Sequence, residues 1–241
     1  MKTLIALLLG CGCCLRAGTT IDAGNRYAFA ANLGWMDWAA DTANGAVIGE
    51  YVCSGFIYSA NAGWINFETN GAPKVDLRTG NMSGYVWSAN CGWISLSNAL
   101  ARVQTDTIRQ GALAPDGLPI AWLLLNFGAT TINAGADPTG KGMTIAQDYL
   151  AGTNPDDVNS ILRITAASFS SGGTNALLTW NTVPTRYYSI LKTPALSSAN
   201  WTDSGLGLIA PSAGSSTTAV FTDTNWPMRF YRVEAVRPLL P

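Results

Sequence analysis

Histidine is absent from the 241 residues of this chain. Its absence removes the usual general base at neutral pH, the histidine of Ser-His and Cys-His pairs, and imidazole ligation of zinc. Charge is scarce as well: Asp, Glu, Lys and Arg make up 12 % of the chain, and the formal net charge is −1. No lysine- or arginine-rich run is present to neutralise a phosphate backbone, which argues against nucleic acid as a partner. The apolar stretch Leu4 to Leu9 is too short to cross a bilayer, so no transmembrane segment is expected. None of the 15 acidic residues falls in a setting that suggests carboxylate-pair hydrolysis. The expectation is a protein that is not an enzyme.

What the chain does hold is glycine and tryptophan, with 25 and 9 residues. That mix suits short strands joined by tight turns, hence a mainly β fold. Lys2, the apolar Leu4 to Leu9 and the exit Leu15-Arg16-Ala17 read as a secretion signal over residues 1–17. Leu8-Leu9-Gly10-Cys11 loosely resembles a lipid-attachment box, which leaves lipoprotein anchoring at Cys11 as a competing reading. Either way the expected location is outside the cell or at the surface of a bacterium. Beyond Ala17 only Cys53 and Cys91 remain. In an oxidising compartment they are able to pair, though two cysteines do not make a disulfide scaffold.

The strongest signal is an internal repeat. Tyr27 to Trp35, Phe56 to Ile65 and Tyr85 to Ile94 superpose without gaps at a spacing of 29 residues on the core Ala-Asn-x-Gly-Trp. Each copy predicts a β-hairpin, with asparagine bonding its own backbone and glycine supplying the positive φ of a three-residue loop. A third strand is expected in each copy, at Ala46 to Ile48, Val75 to Leu77 and, more weakly, Val103 to Thr105. Period-two geometry puts Phe56 and Tyr58 on one face, and Ile57 and Ser59 on the other. Both faces carry apolar bulk. The first expectation is that the aromatics fill the core; the other is that Trp35, Trp64 and Trp93 form an exposed platform for sugar rings, with Asn32, Asn61 and Asn90 as polar neighbours. The repeat resembles "GYAWSENIGWI"-type tandem repeats of secreted bacterial proteins, a resemblance that implies location more than activity.

The middle of the chain predicts two short helices. One starts after Pro119 and stops at Gly128; the other is capped by Thr144 and Gln147 and ends at Gly152. The apolar Ile120, Leu123 and Leu124 suggest that the first docks on a neighbouring unit. Between them, Asp137 to Met143 and then Asp148 to Pro155 resemble a calcium spacer of thrombospondin type 3 or dockerin-like type. Counted as a twelve-residue loop, Asp137, Thr139 and Asp148 take places one, three and twelve, and Gly142 takes place six. Lys141 puts a cation at place five, where a carboxylate belongs, so the resemblance implies at most weak calcium and otherwise no cofactor. Family acids are replaced by Ile120 and Leu123.

From about Leu162 the pattern returns to strands. Leu178-Thr179-Trp180, Tyr188-Ser189-Ile190, Trp201 and Phe230 to Val233 occur in the order seen in fibronectin-III-like domains, which they resemble. That resemblance implies a β-sandwich with Trp180 and Phe230 in its core. The expected division is therefore a signal at 1–17, a threefold β-hairpin repeat unit at 18–110, a two-helix spacer at 111–160 and a C-terminal β-sandwich at 161–241. The expected function is structural or adhesive, with a surface or matrix protein or a glycan as partner, or self-assembly. A carbohydrate-binding module is the alternative, and a carboxylate-based glycosidase comes third.

Overall fold

The computed structural model describes residues 18–170, 172–197, 200–224 and 228–240. The signal read over 1–17, Cys11 included, lies outside the described residues. The chain is mainly β, with antiparallel sheets and two short helices.

In the first unit the strands are β1 (Tyr27–Ala30), β2 (Gly34–Asp37), β3 (Val47–Ile48), β4 (Cys53–Ser54), β5 (Phe56–Ser59), β6 (Gly63–Asn66), β7 (Lys74–Val75), β8 (Met82–Ser83), β9 (Tyr85–Ser88) and β10 (Gly92–Ser95). The hairpins β1-β2, β5-β6 and β9-β10 lie side by side in one six-stranded antiparallel sheet. Gly34, Gly63 and Gly92 close their turns at φ of 69°, 69° and 75°, a region closed to most side chains. Met36 faces Ser59, and Ser59 faces Gly63, so each hairpin is set two residues along the strand from the one before. Such a stagger tilts and curls a sheet toward a barrel wall. The edge strands β1 and β10 accordingly line one shared cleft of about 840 Å³. The expected third strands are shorter than read. β3 and β7 pair with the unforeseen β4 and β8, and Val103 accepts a backbone bond from Met82 and donates one to Leu96 without forming a strand.

One face of this sheet is core. Met36, Ile57, Ile65 and Val86 are buried there beneath Trp38, Phe67, Leu96 and Ile108 from the connections. The opposite face carries the aromatics and lies open, which overturns the first expectation that they fill the core.

The helices α1 (Ile120–Phe127) and α2 (Ile145–Ala151) form where the capping residues place them. Gly128 and Gly152 end them in the left-handed region, and Thr144 and Gln147 make a reciprocal capping box. Trp122, Leu123, Ile145 and Tyr149 pack together, with Tyr51 of the first unit against them. Leu124 points instead to solvent, at 49 % exposure.

The last unit holds β11 (Ile164–Phe169), β12 (Asn175–Asn181), β13 (Tyr187–Thr193), β14 (Thr202–Asp203), β15 (Ser216–Thr222) and β16 (Phe230–Val236). They make two three-stranded sheets, β11-β12-β15 and β14-β13-β16. Trp180, Leu178, Tyr188 and Ile190 are buried in a common core. Phe230 is not part of it: Tyr231, Val233 and Ala235 take the inward places, because alternation turns the residue before Tyr231 the other way.

Candidate functional site: an aromatic sheet face

Each hairpin shows three aromatic residues on the open face of the sheet. They are Tyr27, Phe29 and Trp35; Phe56, Tyr58 and Trp64; and Tyr85, Trp87 and Trp93. Trp35, Trp64 and Trp93 are 66 %, 50 % and 46 % exposed. Each tryptophan sits directly across from an aromatic partner: Phe29, Tyr58 and Trp87 in turn. The ring pairs meet edge to face at centroid distances of 5.4, 5.1 and 5.1 Å. That arrangement satisfies the ring quadrupoles and leaves broad apolar surface toward water. Arg26 and Asp37, beside the first copy, neutralise each other, with Nε donating to Oδ1 at 2.7 Å. The hydrogen bond from Arg26 holds the Asp37 carboxyl below its usual range. The face is therefore apolar and close to neutral.

The repeated asparagines have another task. Asn61 Nδ2 donates to the Leu33 carbonyl at 3.3 Å, and Asn90 Nδ2 donates to the Ala62 carbonyl at 3.2 Å. Buried Ser59 and Ser88 donate to the same two carbonyls at 2.7 and 2.8 Å. The expectation that asparagine bonds its own turn is corrected here: each Ser and Asn pair latches its hairpin to the turn of the hairpin before. In the first copy Ala30 stands at the serine place, and no earlier hairpin lies beside Asn32 among the described residues. The motif thus encodes docking between copies, a meaning that needs two copies in contact to be read.

Cys53 and Cys91 are both free, Cys53 half-buried in β4 and Cys91 exposed in the third turn, so the bridge left open by the sequence is not formed. Burial pushes the Cys53 thiol up to about 11.

At the calcium-like loop, Asp137 accepts from its own backbone, taking Lys141 N at 3.2 Å and Gly142 N at 2.7 Å. Thr139 Oγ1 approaches the same carboxylate at 3.5 Å. Asp148 is fully buried and pairs with Lys141 Nζ at 2.8 Å. Asp137 and Asp148 thus have separate partners, Asp148 through Oδ1 alone, which also accepts from Thr153 Oγ1 at 2.5 Å.

A buried polar knot joins the units. Arg186 of the last unit pairs with Glu50 of the first at 2.7 Å, with side chains 0 % and 2 % exposed. It also donates to the carbonyls of Tyr149 and Leu150 at the end of α2, at 2.7 and 2.8 Å. The Tyr149 hydroxyl donates to Glu50 at 3.0 Å and accepts from Gln110 at 2.7 Å and from Arg237. Burial, with Glu50 beside it, pushes that hydroxyl up to about 12.

The other buried carboxylates are likewise spoken for, since Asp223 faces Lys192 and Arg229 and accepts from the Tyr231 hydroxyl at 2.6 Å. Three clefts of about 840, 570 and 420 Å³ are lined with Arg102 alone, Glu234 alone and no charged side chain. No helix among the described residues is long and apolar enough to cross a membrane. Compared with protein families, curated proteins and solved structures, the chain matches none.

Proposed function

We propose that this chain is a non-catalytic adhesion protein, exported to the outside or surface of a bacterial cell, that docks on neutral glycans through its aromatic sheet face. The observation that carries the proposal is the exposure of Trp35, Trp64 and Trp93 on one face, each braced by a cross-strand ring. A solvent-facing apolar surface of this extent is uncommon unless something covers it. Sugar rings fit it, because their C–H edges carry partial positive charge that meets the negative face of an aromatic ring. Equivalent rings step two strands sideways, about 10 Å. That interval suits a ligand that is itself a chain of rings.

The rest of the organisation serves the display of this face. The reading is of three hairpin copies at 18–110, a spacer of thrombospondin type 3-like descent at 111–160 and a fibronectin-III-like sandwich at 161–241. Supporting the last, Tyr188 accepts from the backbone N–H of Val183 at 2.7 Å, the kind of tyrosine anchor such sandwiches use. The pairing of the buried carboxylates with cations supports a role without turnover.

The test is retention of the mature chain on insoluble polysaccharides, with a glycan array to name the sugar. Trp64→Ala with Trp93→Ala abolishes retention while near-native unfolding is kept. Release of soluble sugar by the purified chain, or retention untouched by the double substitution, rejects the proposal.

A further inference from the structure

The spacer resembles a calcium loop, yet its buried oxygens already enclose a positive charge. Lys141 Nζ lies 2.8 Å from Asp148 Oδ1, 2.6 Å from the Asn154 carbonyl, 3.0 Å from that of Ser160 and 3.3 Å from that of Asp157. Its side chain is 1 % exposed. We propose that the Lys141 ammonium is the resident cation of this site, a covalently tethered substitute for a metal ion, and that it makes the joint between the two β units independent of calcium.

The chemistry of the enclosure argues for this. One carboxylate and three carbonyls are the oxygen donors that a hard cation takes. An ammonium offers one positive charge and three N–H donors to the same kind of shell. The single charge matches the single carboxylate. A divalent ion would need the space that the ammonium fills and would keep an uncompensated charge beside it. Nor is Asp137 free to supply a second carboxylate, since both its oxygens accept backbone N–H groups within its own loop. The loop is closed by hydrogen bonds where a calcium loop is closed by metal.

The consequence lies in the segment that Lys141 holds. Asn154, Asp157 and Ser160 belong to the stretch between α2 and β11, so one side chain gathers the linker that leads into the last unit. Ser160 Oγ accepts from Asn154 N at 2.8 Å and closes the same stretch on itself. A metal-held joint of this kind loosens when calcium is withdrawn. This one keeps its cation at any calcium level, because the cation cannot dissociate.

Three measurements on the whole mature chain test the proposal. The melting temperature of the unaltered protein is expected to be the same in chelator and in about 10 mM calcium, since a ligand that binds only the native state would raise it. Lys141→Ala is expected to melt lower than the unaltered chain in chelator. It should recover part of the loss in calcium or methylammonium, which enter the enclosure that the side chain leaves. Lys141→Met, which fills the space without the charge, should melt lower and respond to neither. If Lys141→Ala does not fold in chelator, its refolding yield with and without the added cation gives the same answer. A calcium-dependent rise for the unaltered chain, or a Lys141→Met protein as stable as the parent, overturns the assignment.

Discussion

Arg186 and Glu50 meet at 2.7 Å, one from the last β unit and the other from the first, both shut away from water. The same guanidinium caps α2 by donating to the carbonyls of Tyr149 and Leu150. A cation at a helix C-terminus is favoured by the helix dipole, and the planar fork of arginine serves several oxygens at once. The first unit, the spacer and the last unit therefore share one buried contact.

Removing one partner of this pair should be costly. Arg186→Met leaves Glu50 buried without its cation, with the Tyr149 hydroxyl still donating to it, and takes from the Leu150 carbonyl its side-chain donor while the Tyr149 carbonyl keeps the Gly152 N–H. A loss of about 3–5 kcal/mol is expected in chemical denaturation. Glu50→Gln should cost less, because the amide oxygen still accepts. In the double variant the two losses should fail to add, as contacting residues do. Additive losses would mean that the two side chains act independently.

The latch between hairpins gives a prediction with an internal control. Ser59→Ala and Ser88→Ala each lose a buried hydrogen bond to the preceding turn and should cost about 1 kcal/mol. Ala30→Ser occupies the equivalent place in the first copy, where no preceding hairpin among the described residues supplies a carbonyl. Its effect should stay within about 0.5 kcal/mol. A gain from Ala30→Ser as large as the losses at the other two places, measured by urea unfolding, would show that the hydroxyl serves only its own turn.

Glycine at the turns is required for different reasons in different copies. A Cβ at Gly63 would stand 3.1 Å from Asn90 Nδ2, whereas at Gly92 nothing comes nearer than Trp87 at 3.8 Å. Both substitutions by alanine suffer the left-handed backbone, about 1–2 kcal/mol. Gly63→Ala should lose more, since it also pushes on the latch. Gly84→Ala is more severe than either. Its Cβ would meet the Ala72 carbonyl oxygen at 2.4 Å, backbone against backbone, and the soluble yield of folded protein should fall sharply.

The two thiols should separate by pH and exposure. Cys91 is exposed and should take a thiol reagent at neutral pH, while Cys53 should resist until the protein unfolds, as peptide mapping would read out. The Cys53 thiol is raised from 9.0 to about 11 by burial. The folded state therefore favours the protonated form, and the stability linked to it is complete below about pH 9 and lost as pH rises toward 11. Stability measured across that window should fall less in Cys53→Ala than in the parent. A parallel decline in both would assign the loss to other groups, the Tyr149 hydroxyl first.

Much of this architecture was legible locally. Asn-x-Gly announced the hairpin turns, Pro119 and Gly128 bracketed one helix, and Thr144, Gln147 and Gly152 marked the other, because φ preferences and capping are properties of a few adjacent residues. The site was legible only in part. The pattern Phe56-Ile57-Tyr58-Ser59 divided the residues correctly into two faces, with apolar bulk on both. The asparagines were visible as a repeat, and their true partners were not, since those lie one hairpin away.

By itself the sequence determined where the three aromatic hairpins, their turns and the two helices form, and which side chains share a face; the short strands β4 and β8 arise only from pairing with β3 and β7. The tertiary structure decided which face meets water, because burial depends on what packs against a sheet: Trp38, Phe67, Leu96 and Ile108 arrive from the connections and cover the aliphatic side. It likewise decided that Lys141 fills an oxygen cage and that Arg186 finds Glu50, for those contacts exist only after distant segments have met in space.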